Sequence, residues 1–497
     1  MRCIAPAAAA LLSALPVGAR AAGVDDLLND ALAPFANWLS SIIFYEVSVG
    51  GVSFPWIVAW LIVGALYFTI YFRGINLRGM GEALALLRPG ADEKDGPGEI
   101  THFQALATAL SGTVGVGNIA HVAVAISIGG PGAIFWLIVA GLLGMASKFV
   151  ECTLGVKYRV QHPDGSVSGG PMFYLHRGLA ERGWPRLGRG LAIYYAICIS
   201  VGCLGVGSMF QSNQAYVQFK GVTGGDASFF AERGWMFGLI LAVLVGVVTL
   251  GGIRSIARVA GRLVPFMALL YSAAALFVIA ANFTRIPEAI RLIVTGAFAP
   301  EGMAGGVVAV MILGFRRAAF SNEAGIGSAA IAHSAVRTSE PITQGLVALL
   351  EPFIDTVVVC TLTGLVITLT VYDPALGSQG ISGVELTSSA FASVISWFPY
   401  VLAVVVMLFA YSTMIAWSYY GLSGCIYLFG PGRATHIAFN MAFCASVAMG
   451  AATQLSAILD FSDALVFAMA LANVLGLYIL APVVREEYAR YRSRAEH

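Results

Sequence analysis

Ser111-Gly-Thr-Val-Gly-Val-Gly-Asn118 lies within an apolar stretch, and Phe320-Ser-Asn-Glu-Ala-Gly-Ile-Gly327 lies within another, far downstream. Each places glycines beside polar residues midway along a run long enough to cross a bilayer, which takes about 20 residues. Glycine costs a helix roughly 1 kcal/mol relative to alanine, so both clusters predict interrupted helices, with breaks near 113–118 and 319–326. The pair also resemble each other. Gly115-Val-Gly-Asn118 leads through small residues to His121, and Gly325-Ile-Gly-Ser328 leads similarly to His333. Lipid satisfies no backbone N–H or C=O group, so a break at that depth implies a bound species. Half-helix N-termini suit a carboxylate, and freed carbonyls suit a bare cation. Close helix packing is the other use of such glycines; two breaks in matching registers favour the site.

The surrounding composition agrees with a membrane setting. The 497 residues are 58% hydrophobic and 11% charged, against about 25% charged in a soluble domain, and mean hydropathy is +0.82. A net charge of +1 offers no basis for a nucleic-acid partner. None of the seven cysteines has zinc or redox spacing, which leaves them as packing residues. His-Glu-x-x-His, a phosphate-binding loop and a Gly-x-Ser-x-Gly elbow are all missing, and Gly115-Val-Gly-Asn118 follows no strand. The expectation is a transporter, not an enzyme, with no organic cofactor.

Apolar runs predict eleven spans, at roughly 54–73, 102–128, 131–156, 190–213, 235–253, 262–282, 304–335, 343–371, 397–421, 434–454 and 461–484. Residues 1–22 read as a signal peptide or disordered tail, and 23–50 as an interfacial segment with an amphipathic helix over 25–44. Residues 51–485 form a single transporter domain with repeats over about 101–282 and 304–484, and 486–497 form a cytoplasmic tail. Lys and Arg concentrate in the loops around Arg73–Lys94, Lys157–Arg189 and Arg254–Arg262 and in the C-terminal tail. The positive-inside rule then puts the N-terminus outside and the C-terminus in the cytoplasm of a bacterial inner membrane. The two broken spans enter from opposite sides, so the repeats are inverted, the arrangement that frames a central transport site.

Other polar residues within the spans are candidates. Ser412-Thr413 precedes Trp417 by one helical turn; such a pair usually bonds back to its own helix, while hydroxyl oxygens also suit a hard cation. Glu323 reads as a cap for the following half-helix or as a cation-site carboxylate, and Arg316 and Arg317 as a border of the outer vestibule. Glu351 and Asp355 read as braces or ligand contacts, Lys148 and Glu151 as a snorkelling pair, and His121 as a hydrogen-bonded packing residue rather than a proton relay.

Several long motifs in order carry a resemblance. They are Gly115-Val-Gly-Asn-Ile-Ala, Gly129-Gly-Pro-Gly-Ala-Ile-Phe-Trp136, Gly144-Met-Ala-Ser-Lys-Phe-Val-Glu151 and Ser168-Gly-Gly-Pro-Met-Phe-Tyr174, then Met209-Phe-Gln-Ser-Asn-Gln214, Arg317-Ala-Ala-Phe-Ser-Asn-Glu-Ala-Gly325, Ile354-Asp-Thr356 and Trp417-Ser-Tyr-Tyr-Gly421. From about Phe54 to Val484 the chain resembles the alanine/glycine:cation symporter family.

That resemblance implies an all-α polytopic membrane protein with a leucine-transporter-type fold: two inverted five-helix repeats after one additional N-terminal transmembrane helix. It also implies import of alanine or glycine with Na⁺ as coupling ion. Gly115, Val116 and Gly117 would meet the substrate carboxylate, with Gln211, Phe320 and Trp417 lining the pocket. Carbonyls near Ser111 and Val114 and the hydroxyls of Ser412 and Thr413 would hold sodium. Thr113 and Asn118 would serve substrate or a second cation. His121 departs from the family pattern, in which glycine is usual. Proton coupling is the nearest alternative, and an amino-acid sensor or channel on the same scaffold is a further one.

Overall fold

The computed structural model describes residues 34, 37–49, 52–88, 96–163, 165–298, 306–373, 383–453 and 455–495. The expected leader at 1–22 and half of the interfacial segment lie outside them. Of that segment, residues 37–43 are helical, and Glu46–Val49 (β1) pairs antiparallel with Val52–Pro55 (β2) in a hairpin that sequence reading did not anticipate. Trp56 Nε1 donates to the Ile42 carbonyl at 3.2 Å, fastening the helical stretch 37–43 to the start of Trp56–Tyr71 (α1).

The next span is broken. His102–Thr113 (α2) opens with a reciprocal cap, in which Gln104 N–H donates to Thr101 Oγ1 and Thr101 N–H donates to Gln104 Oε1. It stops at Val114, whose ψ of 83° leaves the helical region. Gly117–Gly129 (α3) resumes with a 40° bend. Gly132–Lys157 (α4) and Pro171–Glu181 (α5) follow.

Pro185–Leu204 (α6) and Phe210–Val222 (α7) are joined by a π-helical turn, Gly205–Met209. Then come Gly234–Thr249 (α8), Gly252–Ala281 (α9) and Ile286–Phe298 (α10). Gly306–Asn322 (α11) and Ala329–His333 (α12) flank the second break. Pro341–Ala348 (α13) leads through a second π-helical stretch, Phe353–Cys360, into Thr361–Thr370 (α14). The chain ends with Val384–Ala392 (α15), Phe398–Phe429 (α16), Arg433–Gly450 (α17) and Leu455–Ala495 (α18).

Helices thus occupy all the positions expected of spans. Among the described residues, six are long and apolar enough to cross a membrane, or seven with the bent α2–α3 pair, while α1 and α8 are shorter apolar helices. Two features add to the expected spans. The spans predicted at 190–213 and 343–371 are not uniformly α-helical, because each contains a π turn that shifts its hydrogen-bond register. Over the expected tail at 486–497, α18 continues as far as Ala495, and there Glu487 accepts from Lys157 Nζ at 2.6 Å.

At one end of the bundle the guanidinium of Arg159 gathers four backbone carbonyls. Nη1 donates to Ser334 and Val336, and Nη2 to Pro97 and Thr338, at 2.6–2.7 Å. Ile100, just ahead of α2, bridges in parallel to Val336, just after α12. Arg159 therefore ties the entry of the first broken span to the exit of the second.

Candidate functional site

The break between α2 and α3 puts backbone polar groups in the buried core, and two side chains meet them. Gly115 N–H donates to Asn118 Oδ1 at 2.9 Å, and Val116 N–H donates to Gln211 Oε1 at 3.3 Å. Gln211 stands just past the first π turn and donates through Nε2 to the Val206 carbonyl, so the π turn aims it at the break. A Cβ on Gly115 would lie 2.4 Å from Thr413 Oγ1, so only glycine allows this approach to α16.

Helix α16 supplies the facing wall. Ser111 Oγ donates to the Ser412 carbonyl at 2.6 Å, which joins α2 to α16. The Ser412 hydroxyl donates back to Phe409 O at 2.9 Å, and Thr113 Oγ1 likewise donates to Ala109 O. Thr413 differs: it is 1% exposed, and among the described residues its Oγ1 has no hydrogen-bond partner. An orphaned buried hydroxyl is costly. With the kinked backbone of residues 113–116 beside it, it fits the oxygen donor set that a dehydrated alkali cation requires.

The second break lies across from the first. Glu323 has φ of +55°, and Gly325 and Gly327 have φ of +87° and +91°, a region that β-carbons disfavour. Glu323 was read as a cap for the following half-helix or as a cation-site carboxylate, and neither role is assigned by its contacts alone. Its carboxylate accepts from the Ser328 hydroxyl and, at 3.1 Å, from Trp417 Nε1. Trp417 Nε1 also lies 3.3 Å from the Gly112 carbonyl, so one fully buried indole contacts both breaks.

Two clusters border this centre. Asn118 Nδ2 donates to Asp355 Oδ1 at 2.6 Å, while Ser321 Oγ and Thr356 Oγ1 donate to Asp355 Oδ2 at 2.9 and 2.7 Å. Asp355 thus braces α3 to α11 within the second π stretch. The other cluster overturns the snorkelling reading of Lys148 and Glu151. Lys148 is fully buried and pairs with Glu351 at 2.9 Å, and Glu151 accepts from Asn473 Nδ2 at 2.8 Å. Arg316 and Arg317, read as a border of the outer vestibule, pair with Asp463 at 2.7 and 3.6 Å.

All the sequence-predicted site residues therefore converge on the two breaks, although Ser412 and Thr113 turn their hydroxyls into their own helices. His121 was expected to be hydrogen-bonded. It lies between Phe210 and Phe320, and among the described residues neither ring nitrogen has a partner. The π turns and the Glu323–Trp417 contact escaped sequence reading; the glycines of Gly205-Val-Gly207 are the one signal of the first turn.

Residues 39–497 match the sodium:alanine symporter family. The chain belongs to that family. It is 37% identical to the sodium/alanine symporter AgcS of Methanococcus maripaludis, over 87% of this chain and 93% of that one. It is 33% identical to the probable sodium/glutamine symporter GlnT of Bacillus subtilis, over 86% of each. A putative sodium/proton-dependent alanine carrier, YrbD of the same organism, is 31% identical over 88% and 90%. The crystal structure of MhsT in complex with L-phenylalanine superposes with a TM-score of 0.54 at 14% identity, covering 77% of this chain and 89% of that one, which shows a shared fold. The family member described here is a multi-pass, cation-coupled amino-acid symporter rather than an enzyme.

Proposed function

We propose that this symporter imports a small neutral amino acid, alanine or glycine, with Na⁺ by alternating access. The observation that carries the reading is the meeting of two helix breaks across Trp417, with the orphaned Thr413 hydroxyl beside them. The substrate carboxylate would take over the N–H groups of Gly115 and Val116 from Asn118 and Gln211, with Gly117 opening α3 beside them. A helix N-terminus favours that negative charge. Phe320 and Trp417 would enclose the side chain. Na⁺ would take the Thr413 hydroxyl and backbone oxygens near Ser111 and Val114, with Ser412 lending its hydroxyl on rotation. Ion and substrate would then share one backbone segment, and linkage makes each raise the other's affinity equally.

In this reading residues 51–485 form one domain of eleven spans, with five-helix inverted repeats over about 101–282 and 304–484 after the first span. Arginine-rich loops face the cytoplasm. On that orientation the Arg159 contacts would close the cytoplasmic end, and those of Arg316 and Arg317 with Asp463 the outer end. The buried carboxylates Glu323 and Asp355 beside the breaks favour a second reading, in which a proton replaces or joins Na⁺. Uptake of labelled alanine into proteoliposomes, with Na⁺ and pH gradients imposed independently, separates the two. Uptake driven by a pH gradient without Na⁺ would overturn sodium coupling.

A further inference from the structure

We propose that His121 is a specificity-determining residue whose imidazole hydrogen-bonds the polar side chain of a neutral amino acid carried by this transporter. The inference deepens the transport reading above and rests on it. The substrate class it names is neutral amino acids with a hydroxyl or carboxamide side chain, in addition to alanine and glycine.

His121 stands one turn into α3, four residues after Gly117, and is 1% exposed. Its ring centroid lies 4.1 Å from that of Phe320 on α11 and 4.6 Å from that of Phe210 on α7. Three elements of the site therefore meet at this ring. The phenyl groups cover its apolar surface, and among the described residues both nitrogens remain without a hydrogen-bond partner. Nδ1 lies 3.9 Å from where a Cβ on Gly117 would stand, so this edge of the ring faces the backbone assigned to the carboxylate.

A neutral imidazole presents one donor and one acceptor. Buried polar atoms are nearly always satisfied, and a core position between two phenylalanines is met more cheaply by leucine or phenylalanine. A histidine held there with both nitrogens idle is therefore better explained by a partner that comes and goes. With a carboxylate at Gly115–Gly117, the substrate side chain extends toward Phe320, where the imidazole waits. A hydroxyl both donates and accepts, as does a carboxamide, so either class completes the ring's hydrogen bonding. A methyl group or hydrogen does not.

The test uses the full-length protein in proteoliposomes, with competition of serine and of glutamine against labelled alanine, for wild type, His121→Leu and His121→Asn. Ligand-induced shifts in melting temperature of the purified proteins give a readout independent of turnover. The expected result is that His121→Leu weakens serine, glutamine or both by about 10-fold to 100-fold, with alanine changed by less than about threefold. His121→Asn, which keeps a donor and an acceptor, should recover part of the loss. Weakening confined to serine assigns a hydroxyl side chain, and weakening confined to glutamine a carboxamide. Equal shifts for alanine and the polar amino acids, or a wild type that binds alanine but neither serine nor glutamine, overturns the inference. A wild type without cation-driven alanine uptake overturns the transport reading, and this inference with it.

Discussion

The indole Nε1 of Trp417 donates to Oε1 of Glu323 at 3.1 Å, which ties the long helix α16 to the break between α11 and α12. Trp417→Phe keeps most of the volume but leaves that carboxylate oxygen without its donor. Abandoning a buried acceptor costs about 1–3 kcal/mol, so the melting temperature should fall and alanine uptake should drop. Trp417→Ala also removes bulk and should let larger neutral amino acids compete. An unchanged competition profile with serine, valine and leucine would show that Trp417 does not set pocket size.

The hydroxyls of Ser412 and Thr413 should differ in effect. Thr413→Ala should raise the Na⁺ concentration for half-maximal alanine uptake about tenfold or more, since a charged hydrogen-bond-class contact is worth roughly 1.5–3 kcal/mol. Ser412→Ala should matter less, because that hydroxyl already bonds Phe409 O. Titrating Na⁺ at fixed alanine tests both. Weakened alanine binding with unaltered Na⁺ dependence in Thr413→Ala would move Thr413 out of the ion site.

Asp355 accepts from three side chains on three different segments. Asp355→Ala removes an acceptor from Asn118, Ser321 and Thr356 together, although Asn118 keeps the Asp355 backbone carbonyl and Thr356 still accepts from Asn322, and it should destabilise the protein by about 1–3 kcal/mol. Thermal unfolding in detergent measures this, and a variant as stable as wild type would show that the cluster does not brace α3.

For the buried pair, Lys148→Met should be strongly destabilising, by about 3–5 kcal/mol, because it takes away the close partner of Glu351 and leaves it only His333 Nε2 at 3.8 Å. The double variant Lys148→Met/Glu351→Gln should recover much of that loss. A double-variant cycle showing additive losses would mean that the two residues act separately.

Both helix breaks were legible in the sequence because their cause is local: glycines and polar residues crowded at mid-span, as at Gly115–Asn118 and Ser321–Gly327. The convergence of Gln211, Phe320 and Trp417 came from the family resemblance. The π turns were not legible, since an α turn and a π turn differ in hydrogen-bond register and not in the residues that tolerate them. Long-range partners were equally hidden. Lys148 meets a carboxylate 203 positions away, and Glu151 an amide 322 positions away, so spacing alone suggested pairing these neighbours with each other.

Arg159 concentrates four carbonyl contacts from both broken spans into one planar group. Three of the acceptors, Ser334, Val336 and Thr338, belong to the segment that follows α12, and only Pro97 lies ahead of α2. Parting of the two segments at that end therefore costs the guanidinium one bond of the four, and it would travel with the second span like a latch left on its own leaf. A lysine at this position, with a point charge in place of the planar fork, would grip that segment less firmly.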